Sequence, residues 1–294
     1  MKVFKIDPQK AAVARRAKIL EAKTSLRHLW TLPKTAPISF VKDPLSKALD
    51  ISLSRFPDAT IYMSRASTAD TVQYVMETGA PCRQFDTNFL GNTTQSSILQ
   101  IIDTTKPAVM IASASTKTGS SDVISVIHDA IEASGVENTY IHMVCDDSAS
   151  ILPFTPSKSM LVSLDGIHSF SCTPGSFVTR GTVGVLVGED VPSSEVTLDF
   201  VEAIIDRQSL ETTATSTFAL TTAMFDVLFK NKVPAYLLGG SNVILVRAPE
   251  HIRTSYGLEL HDEWTCLRIP RNTEAGFIVN VINDIIEYYH YKQE

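Results

Sequence analysis

Four residues whose side chains can react or bind a metal lie close together near the middle of the chain: His142, Cys145, Asp146 and Asp147. A histidine beside a cysteine can form a nucleophilic pair, and the same side chains can ligate a metal ion. The spacing argues against both, because successive strand residues point to opposite faces and the sequence shows no second group of ligands. We expect no metal site, and a buried cysteine beside a pair of loop carboxylates. A cofactor-free enzyme activity that adds Ser176 to His142, Cys145 and Asp146 stays an alternative.

The short motifs of several common chemistries are missing from the sequence. It contains no GxGxxG or GxxxxGK[ST] phosphate loop, no HExxH zinc helix and no GxSxG nucleophile elbow. His168 lies in a segment with strand character, where a histidine is more often a hydrogen-bonded interior residue than a catalytic base. We therefore expect a structural role for His168.

Charge is distributed unevenly along the 294 residues. The net charge is −6, and residues 1–28 carry eight basic and two acidic side chains, so about −12 lies on the rest of the chain. Such an acidic body does not favour nucleic-acid binding. The basic segment Gln9–Trp30 has apolar residues at helical spacing, which predicts an amphipathic helix. We expect this helix to pack on the acidic body or on a partner subunit; a mitochondrial targeting segment and a surface for an anionic partner are the alternatives.

Neither a membrane span nor a secretory signal is visible in the sequence. The longest apolar runs are interrupted by Asn and Asp well before the roughly 20 residues that a span needs. The four cysteines lack the close spacing of disulfide or metal motifs. We expect reduced thiols in a cytoplasmic protein, with mitochondria as the lesser alternative, and no nucleic acid or membrane among its partners.

Short apolar runs alternate with segments of helical periodicity, which is typical of a mostly parallel sheet covered by helices. The predicted strands are Ala59–Met63, Pro81–Phe85, Ala108–Ser113, Thr139–Val144, Gly166–Ser171, Val183–Val187, Asn242–Arg247 and Cys266–Ile269. The predicted helices are Leu45–Arg55, Thr68–Thr78, Ser96–Thr104, Asp122–Ser134, Glu211–Lys230 and Thr273–Tyr289, with Asp70 and Asp122 as caps at or near helix starts. We expect a basic helix and connector at residues 1–44, an α/β large domain at 45–190 and a smaller α+β domain at 191–294.

Several stretches, taken in order, resemble the group II amino-acid decarboxylases that depend on pyridoxal phosphate (PLP). They are Phe56–Asp58 with Ile61–Ser64, Ala114–Asp122, Tyr140–His142 with Ile151–Phe154, Asp165–Ser169 and, in the smaller domain, Ser241–Val246. The sequence is most similar to the bacterial-type histidine decarboxylases over roughly residues 45 to 290. The resemblance implies a PLP-transferase-like fold of type I, with a large domain truncated at its start, a small carboxyl-terminal domain and a dimeric assembly.

The residues that fill the family's cofactor positions differ from those that PLP chemistry uses. The resemblance places Ser176 at the Schiff-base lysine, Val144 at the aspartate that pairs with the pyridine nitrogen, and Thr68 at the ring-stacking histidine. A hydroxyl cannot form an imine, and an aliphatic side chain cannot keep the ring nitrogen protonated. We expect no bound cofactor. The former cleft would be lined or flanked by the basic helix, Ser115, Thr116, His142 and Ser176.

Two alternatives would restore parts of the cofactor site. A two-residue slip of the alignment would make Asp146 the partner of the pyridine nitrogen, although it breaks the match at residues 151–154. Lys117 and Lys158 are the nearby lysines that could replace the missing Schiff-base lysine, although a loop lysine is usually a solvated charge.

The resemblance, together with these departures, implies a non-catalytic homologue of a PLP-dependent amino-acid decarboxylase. Such a chain would act by forming a homodimer, by pairing with an active decarboxylase paralogue, or by binding a small amino acid or amine. The alternatives are an active carboxy-lyase with rearranged PLP anchoring and a cofactor-free enzyme that uses the emptied cleft.

Overall fold

A seven-stranded sheet and a four-stranded sheet organise the chain. The computed structural model describes residues 8–29, 32–145, 166–172, 183–192, 207–238, 241–269 and 275–292. The strands are β1 Ile38–Lys42, β2 Thr60–Ser64, β3 Cys82–Phe85, β4 Ala108–Ser113, β5 Thr139–Cys145, β6 Ser169–Cys172, β7 Val183–Val187, β8 Ala235–Leu237, β9 Val243–Val246, β10 Glu259–His261 and β11 Trp264–Arg268. The helices are α1 Pro8–Leu29, α2 Pro44–Arg55, α3 Ala69–Glu77, α4 Gln95–Leu99, α5 Ile124–Ser134, α6 Arg207–Lys230, α7 Glu250–Ser255 and α8 Ala275–Tyr291.

The large sheet has the strand order β1-β7-β6-β5-β4-β2-β3. Strands β3, β2, β4, β5 and β6 run parallel, whereas β7 and β1 are antiparallel to their neighbours. Helices connect the successive parallel strands from β2 to β5. This architecture confirms the α/β prediction, and the predicted strands from residue 59 to residue 187 match β2 to β7 within a few residues at each end.

Strand β1 was not predicted, because its sequence lies between Pro37 and Pro44 and suggests a connector. It pairs antiparallel with β7, with Ile38 opposite Val187 and Lys42 opposite Val183. The segment assigned to a connector therefore contributes an edge strand to the large sheet.

The two faces of the large sheet are covered by different helices. Strand residues such as Ile61 and Ile111 pack with α2 and α3 in one apolar cluster, which also contains Leu49 and Val75. Residues of opposite parity, such as Met110, pack with α1, α4 and α5 in a second cluster. Both faces are buried, which explains why these strands have nearly continuous apolar sequences.

The connections after β2 and β4 leave the sheet on opposite faces. Strand β2 leads into α3, on the face that α2 also covers. Strand β4 leads into α5, on the other face. Because β2 and β4 are neighbours in the sheet, their carboxyl ends form a topological switch point, the position where open α/β sheets bind ligands.

The smaller sheet is antiparallel, with the order β10-β11-β9-β8. One face packs on α6, α7 and α8 through an apolar cluster that includes Leu228, Ile244, Ile252, Leu267 and Ile282. The other face carries Val243, Leu245, Trp264 and Cys266 and contacts Leu90 from the large-domain side. Strands β8 and β10 and helix α7 are additional elements that the sequence did not reveal.

Helix α1 confirms the helix predicted near the amino end. In its second half, Ala22 and Leu26 are buried in the cluster beneath the large sheet, whereas Val13 and Leu20 are exposed. Among the described helices, none combines the length and apolar character required to cross a bilayer.

Candidate functional site

Two loops meet at the switch point, one after β2 and one after β4. The backbone N–H of Lys117 donates to the carbonyl oxygen of Ala66 at 2.8 Å. The guanidinium of Arg268, on β11, donates to the carbonyl oxygen of Thr116 at 3.1 Å. The loop after β4 is therefore fixed between the large sheet and the smaller sheet.

Hydroxyl groups fill the interior of the loop after β4. The Oγ1 of Thr116 lies 2.8 Å from the Oγ1 of Thr118 and 2.8 Å from the Oγ of Ser120. Thr118 in turn donates to the carbonyl oxygen of Leu90 at 2.8 Å. Thr116 is completely buried and Ser115 is 8% exposed. The two residues predicted to line a cleft are thus buried, and the hydroxyl of Thr116 bonds within the loop.

Gly119 lets this loop approach the smaller sheet closely. Its φ is +83°, a region that favours glycine, and a Cβ at this position would lie against the hydroxyl of Ser241 and 3.0 Å from the Cβ of Val243. The Ser241 hydroxyl also accepts the N–H of Val243 at 2.9 Å, so it is already held in place. The close contact of loop and sheet depends on a residue without a side chain.

Asp122 is buried at the end of the same loop. Its carboxylate accepts the backbone N–H of Ser113 at 2.8 Å and the hydroxyl of Thr93 at 2.9 Å. Burial raises the pKa of this carboxyl to about 6. The prediction that Asp122 caps α5 is wrong, since the N-cap residue is Val123 and no side chain caps the helix. Asp122 instead ties the end of β4 to the segment that precedes α4.

Replacing Asp122 by asparagine is expected to remove a pH dependence of stability. Since the pKa is about 6 in the folded chain and about 4 in an unfolded chain, the folded chain binds more protons between these pH values. Its free energy of unfolding therefore falls as pH rises through this window, by up to about 3 kcal/mol. Asp122→Asn keeps an oxygen that can accept the backbone N–H of Ser113. Because asparagine does not titrate, the free energy of unfolding of this variant lacks the fall with pH. Relative to wild type it should gain about 2 kcal/mol between pH 4 and pH 7.5 in urea unfolding.

Asp129→Asn supplies the matched control, because Asp129 lies exposed on α5. It makes the same change of charge without touching a buried carboxylate, so its stability relative to wild type should stay nearly constant between the two pH values. An Asp122→Asn difference that also stays constant would show that the buried carboxyl does not titrate in this range.

A chain of hydrogen bonds crosses the sheet beneath α2. Arg55 donates to one oxygen of Glu189 at 2.7 Å, and the hydroxyl of Tyr140 donates to the other at 2.8 Å. The Tyr140 oxygen also lies 2.7 Å from the hydroxyl of Ser169, which lies 2.7 Å from Nδ1 of His142. Burial raises the pKa of Tyr140, so this residue stays a neutral donor to Glu189.

His142 is the innermost member of this chain. Its Nε2 lies 2.9 Å from the hydroxyl of Ser171, so both ring nitrogens have a serine partner. The residue is 1% exposed, and burial lowers its pKa to about 3. Both nitrogens are engaged and the ring is neutral at physiological pH, so His142 holds β5 to β6 and is not oriented as a free base in a cleft.

For His168, the structure confirms one expectation and corrects another. Its Nδ1 accepts the backbone N–H of Ile141 at 3.0 Å, and its ring stacks on Tyr140 with 5.0 Å between the ring centroids. The predicted hydrogen-bonded role is therefore confirmed. The residue is exposed on its outer side, so its placement in the interior was wrong.

Val144 and Thr68, which the resemblance places at cofactor-contacting positions, have structural roles in this chain. Val144 is 1% exposed and lies in the apolar cluster with Val109 and Ile111. Thr68 is the N-cap of α3, where its Oγ1 accepts the N–H of Thr71 at 3.4 Å.

Several predicted site residues lie outside the described part of the chain. They are Asp146, Asp147, Lys158 and Ser176, together with the side chain of Cys145. Lys117 is described and is partly buried, at the point where its loop contacts Ala66.

Sequence reasoning missed two buried hydroxyls at the switch point. The Oγ atoms of Ser67 and Ser113 are buried without a hydrogen-bond partner, a state that costs free energy unless a ligand or water supplies one. Ser67 follows β2 and Ser113 ends β4. No motif in the sequence distinguishes these two serines from other buried serines such as Ser64 and Ser169.

The described residues supply no acidic partner for the PLP ring nitrogen at the position that the resemblance compares with it. PLP chemistry needs an imine-forming lysine and an acidic partner for the ring nitrogen. The position compared with that partner is the apolar Val144, and the nearby buried carboxylate of Asp122 is engaged by Ser113 and Thr93. No group of three potential metal ligands occurs among the described residues either.

No protein-family model matches the sequence, and no curated protein matches it. Solved structures do. The threonine aldolase of Leishmania major is 11% identical with a TM-score of 0.63, covering 98% of this chain and 97% of its own. Catharanthus roseus tryptophan decarboxylase in complex with L-tryptophan is 11% identical with a TM-score of 0.69, covering 95% and 76%. Oryza sativa TDC with PLP and tryptamine is 12% identical with a TM-score of 0.70, covering 97% and 77%.

The chain has the fold of the type-I PLP enzymes. This PLP-transferase-like fold confirms the fold class expected from the sequence, and PLP-dependent decarboxylases are among its structural neighbours. At 10–13% identity the likeness concerns the fold.

Proposed function

We propose that this chain is a non-catalytic homologue of PLP-dependent amino-acid decarboxylases that acts by binding, as a homodimer or as a heterodimer with an active decarboxylase paralogue. The observation that carries the proposal is the environment of Val144. At the position compared with the acid that protonates the cofactor ring, the chain has an aliphatic side chain inside an apolar cluster. Without that acid the ring cannot act as an electron sink.

The neighbouring residues support the same proposal. Thr68, compared with the ring-stacking histidine, is used as a helix cap, and His142 is neutral with both nitrogens engaged. The sequence places Ser176 at the position of the Schiff-base lysine. These are separate departures at separate positions, which is the pattern expected when catalysis is lost and the fold is kept.

A small amino acid or amine is the second candidate for what the chain binds. The unpartnered hydroxyls of Ser67 and Ser113 favour it, since they lie at the switch point of the sheet and could bond a polar ligand. Such a ligand should raise the melting temperature of the chain, and few other compounds should have this effect.

Incubation of the purified chain with PLP, followed by borohydride reduction, tests the loss of the cofactor. We expect no absorbance band of an imine and no stoichiometric label on any lysine in mass analysis. A single labelled lysine, such as Lys117 or Lys158, would overturn the proposal and favour a carboxy-lyase with rearranged PLP anchoring.

Sedimentation equilibrium tests the assembly. We expect a dimer of the chain alone, or a mixed dimer when an active decarboxylase of the same cell is added. A chain that stays monomeric in both experiments would contradict action by dimerisation. Turnover of an amino acid by the PLP-free chain would instead support the cofactor-free alternative.

A further inference from the structure

A groove on the smaller domain carries a second set of chemical groups, away from the switch point. It has a volume of about 390 Å³ and lies between α7 and the end of α8. Its walls share aromatic and acidic character; they include His251, Tyr256, Asp284, Glu287, Tyr288 and Tyr291.

The spacing of the α8 residues explains how they come to share one wall. Asp284, Glu287, Tyr288 and Tyr291 are three, four and seven residues apart along the helix, so they form one stripe on its surface. The stripe faces α7, whose Ile252 is buried at the floor of the groove. Two carboxylates and two aromatic rings are thus presented along a single line.

Contacts within the groove hold its walls in place. The hydroxyl of Tyr256 donates to Asp284 at 2.7 Å, and the ring of Tyr256 meets Phe277 edge-on with centroids 5.5 Å apart. His251 meets Tyr288 edge-on, with centroids 5.9 Å apart. The Asp284 carboxylate and the two tyrosine rings therefore have defined positions before any ligand arrives.

The electrostatics of the groove favour a cation. Asp284 and Glu287 are acidic, and the negative end of the α8 dipole lies at the same end of the helix. The chain itself places an ammonium group on one of these rings, since Nζ of Lys292 lies 4.9 Å from the ring centroid of Tyr288. Aromatic faces attract ammonium ions in this geometry.

We propose that this groove binds an aliphatic diamine. One ammonium group would pair with Glu287 and the other with Asp284, while the methylene chain packs on Tyr288 and Tyr291. The two carboxylates are one helical turn apart, which matches a short chain with a charge at each end. The site is independent of the proposed function at the switch point, because none of its residues belongs to that region.

An NMR titration of the full chain with 1,4-diaminobutane, at ionic strength held constant with NaCl, tests the proposal. We expect saturable binding with a dissociation constant in the millimolar range or below, and no binding of the uncharged analogue 1,4-butanediol. Absence of saturable binding up to about 10 mM, or equal binding of the diol, would overturn it.

Single substitutions test whether the diamine binds in this groove. Glu287→Gln should weaken it about threefold, because an exposed ion pair contributes modestly, and Tyr288→Leu should weaken it about threefold through loss of the ring. Glu250→Gln removes the same charge from the exposed surface of α7 outside the groove, and this control should bind the diamine as wild type does. Unchanged affinity in Glu287→Gln, or equal loss in Glu250→Gln, would place the diamine elsewhere.

Discussion

Val144→Asp should lower the free energy of unfolding at pH 7 by at least about 4 kcal/mol, because it places a carboxyl group in an apolar cluster. Val144 is 1% exposed and lies between Ser113 on β4 and Ser171 on β6 in the register of the sheet. The hydroxyl of the serine beside it on β6 lies 2.9 Å from Nε2 of His142. The new carboxyl is therefore expected to have a raised pKa, so the variant should lose stability as pH rises above about 4.

PLP makes this experiment informative about function. If the pocket beside Val144 held the cofactor ring, the new aspartate would pair with the pyridine nitrogen, and PLP would stabilise the variant more than the wild type. We expect urea unfolding of Val144→Asp to give the same result with and without PLP. Val144→Thr has nearly the same volume without a charge, and it should cost about 1 to 2 kcal/mol independently of pH. Rescue of Val144→Asp by PLP would contradict the non-catalytic proposal.

The central strands were predictable because burial on both faces gives them distinctive sequences. Strand β4 has the bounds predicted for it, Ala108–Ser113, and all six residues are buried. Strand β1 was not predictable in the same way. Its pairing with β7 joins residues about 145 positions apart in the chain, and nothing local in a segment between two prolines indicates it.

The candidate site was predictable as a location but not as a set of contacts. The sequence predicted the strand Ala108–Ser113 that precedes the loop at residues 114–122, and the resemblance implied that Ser115 and Thr116 in this loop line or flank the cleft. The sequence could not show that Ser169 and Ser171 of the neighbouring strand would engage both nitrogens of His142, because register between strands is set by tertiary packing. The burial of Thr116 depends in the same way on the smaller sheet that covers it.

Gly188→Ala is the second change for which we expect a large effect, a loss of about 4 kcal/mol in the free energy of unfolding. Gly188 directly follows β7 and has a φ of +94°, and an added Cβ would lie against the carbonyl oxygen of His168 and 2.8 Å from the Cα of Ser169. Both neighbours are backbone atoms at the start of β6, and they cannot move aside as the end of a side chain can. The chain would have to separate β7 from β6.

The damage should extend to the polar chain beneath α2, because Gly188 positions the next residue. Glu189 accepts hydrogen bonds from Arg55 and Tyr140, and a shift of the backbone would weaken both. Gly257→Ala is the matched control: Gly257 has a φ of +62° with nothing within 4 Å of an added Cβ, so it should lose only the 1 to 2 kcal/mol or so that positive φ costs an alanine. Urea unfolding of the two variants measures the difference. Equal losses would mean that β6 and β7 can separate at little cost, and that the contact of Gly188 with His168 does not fix the position of Glu189.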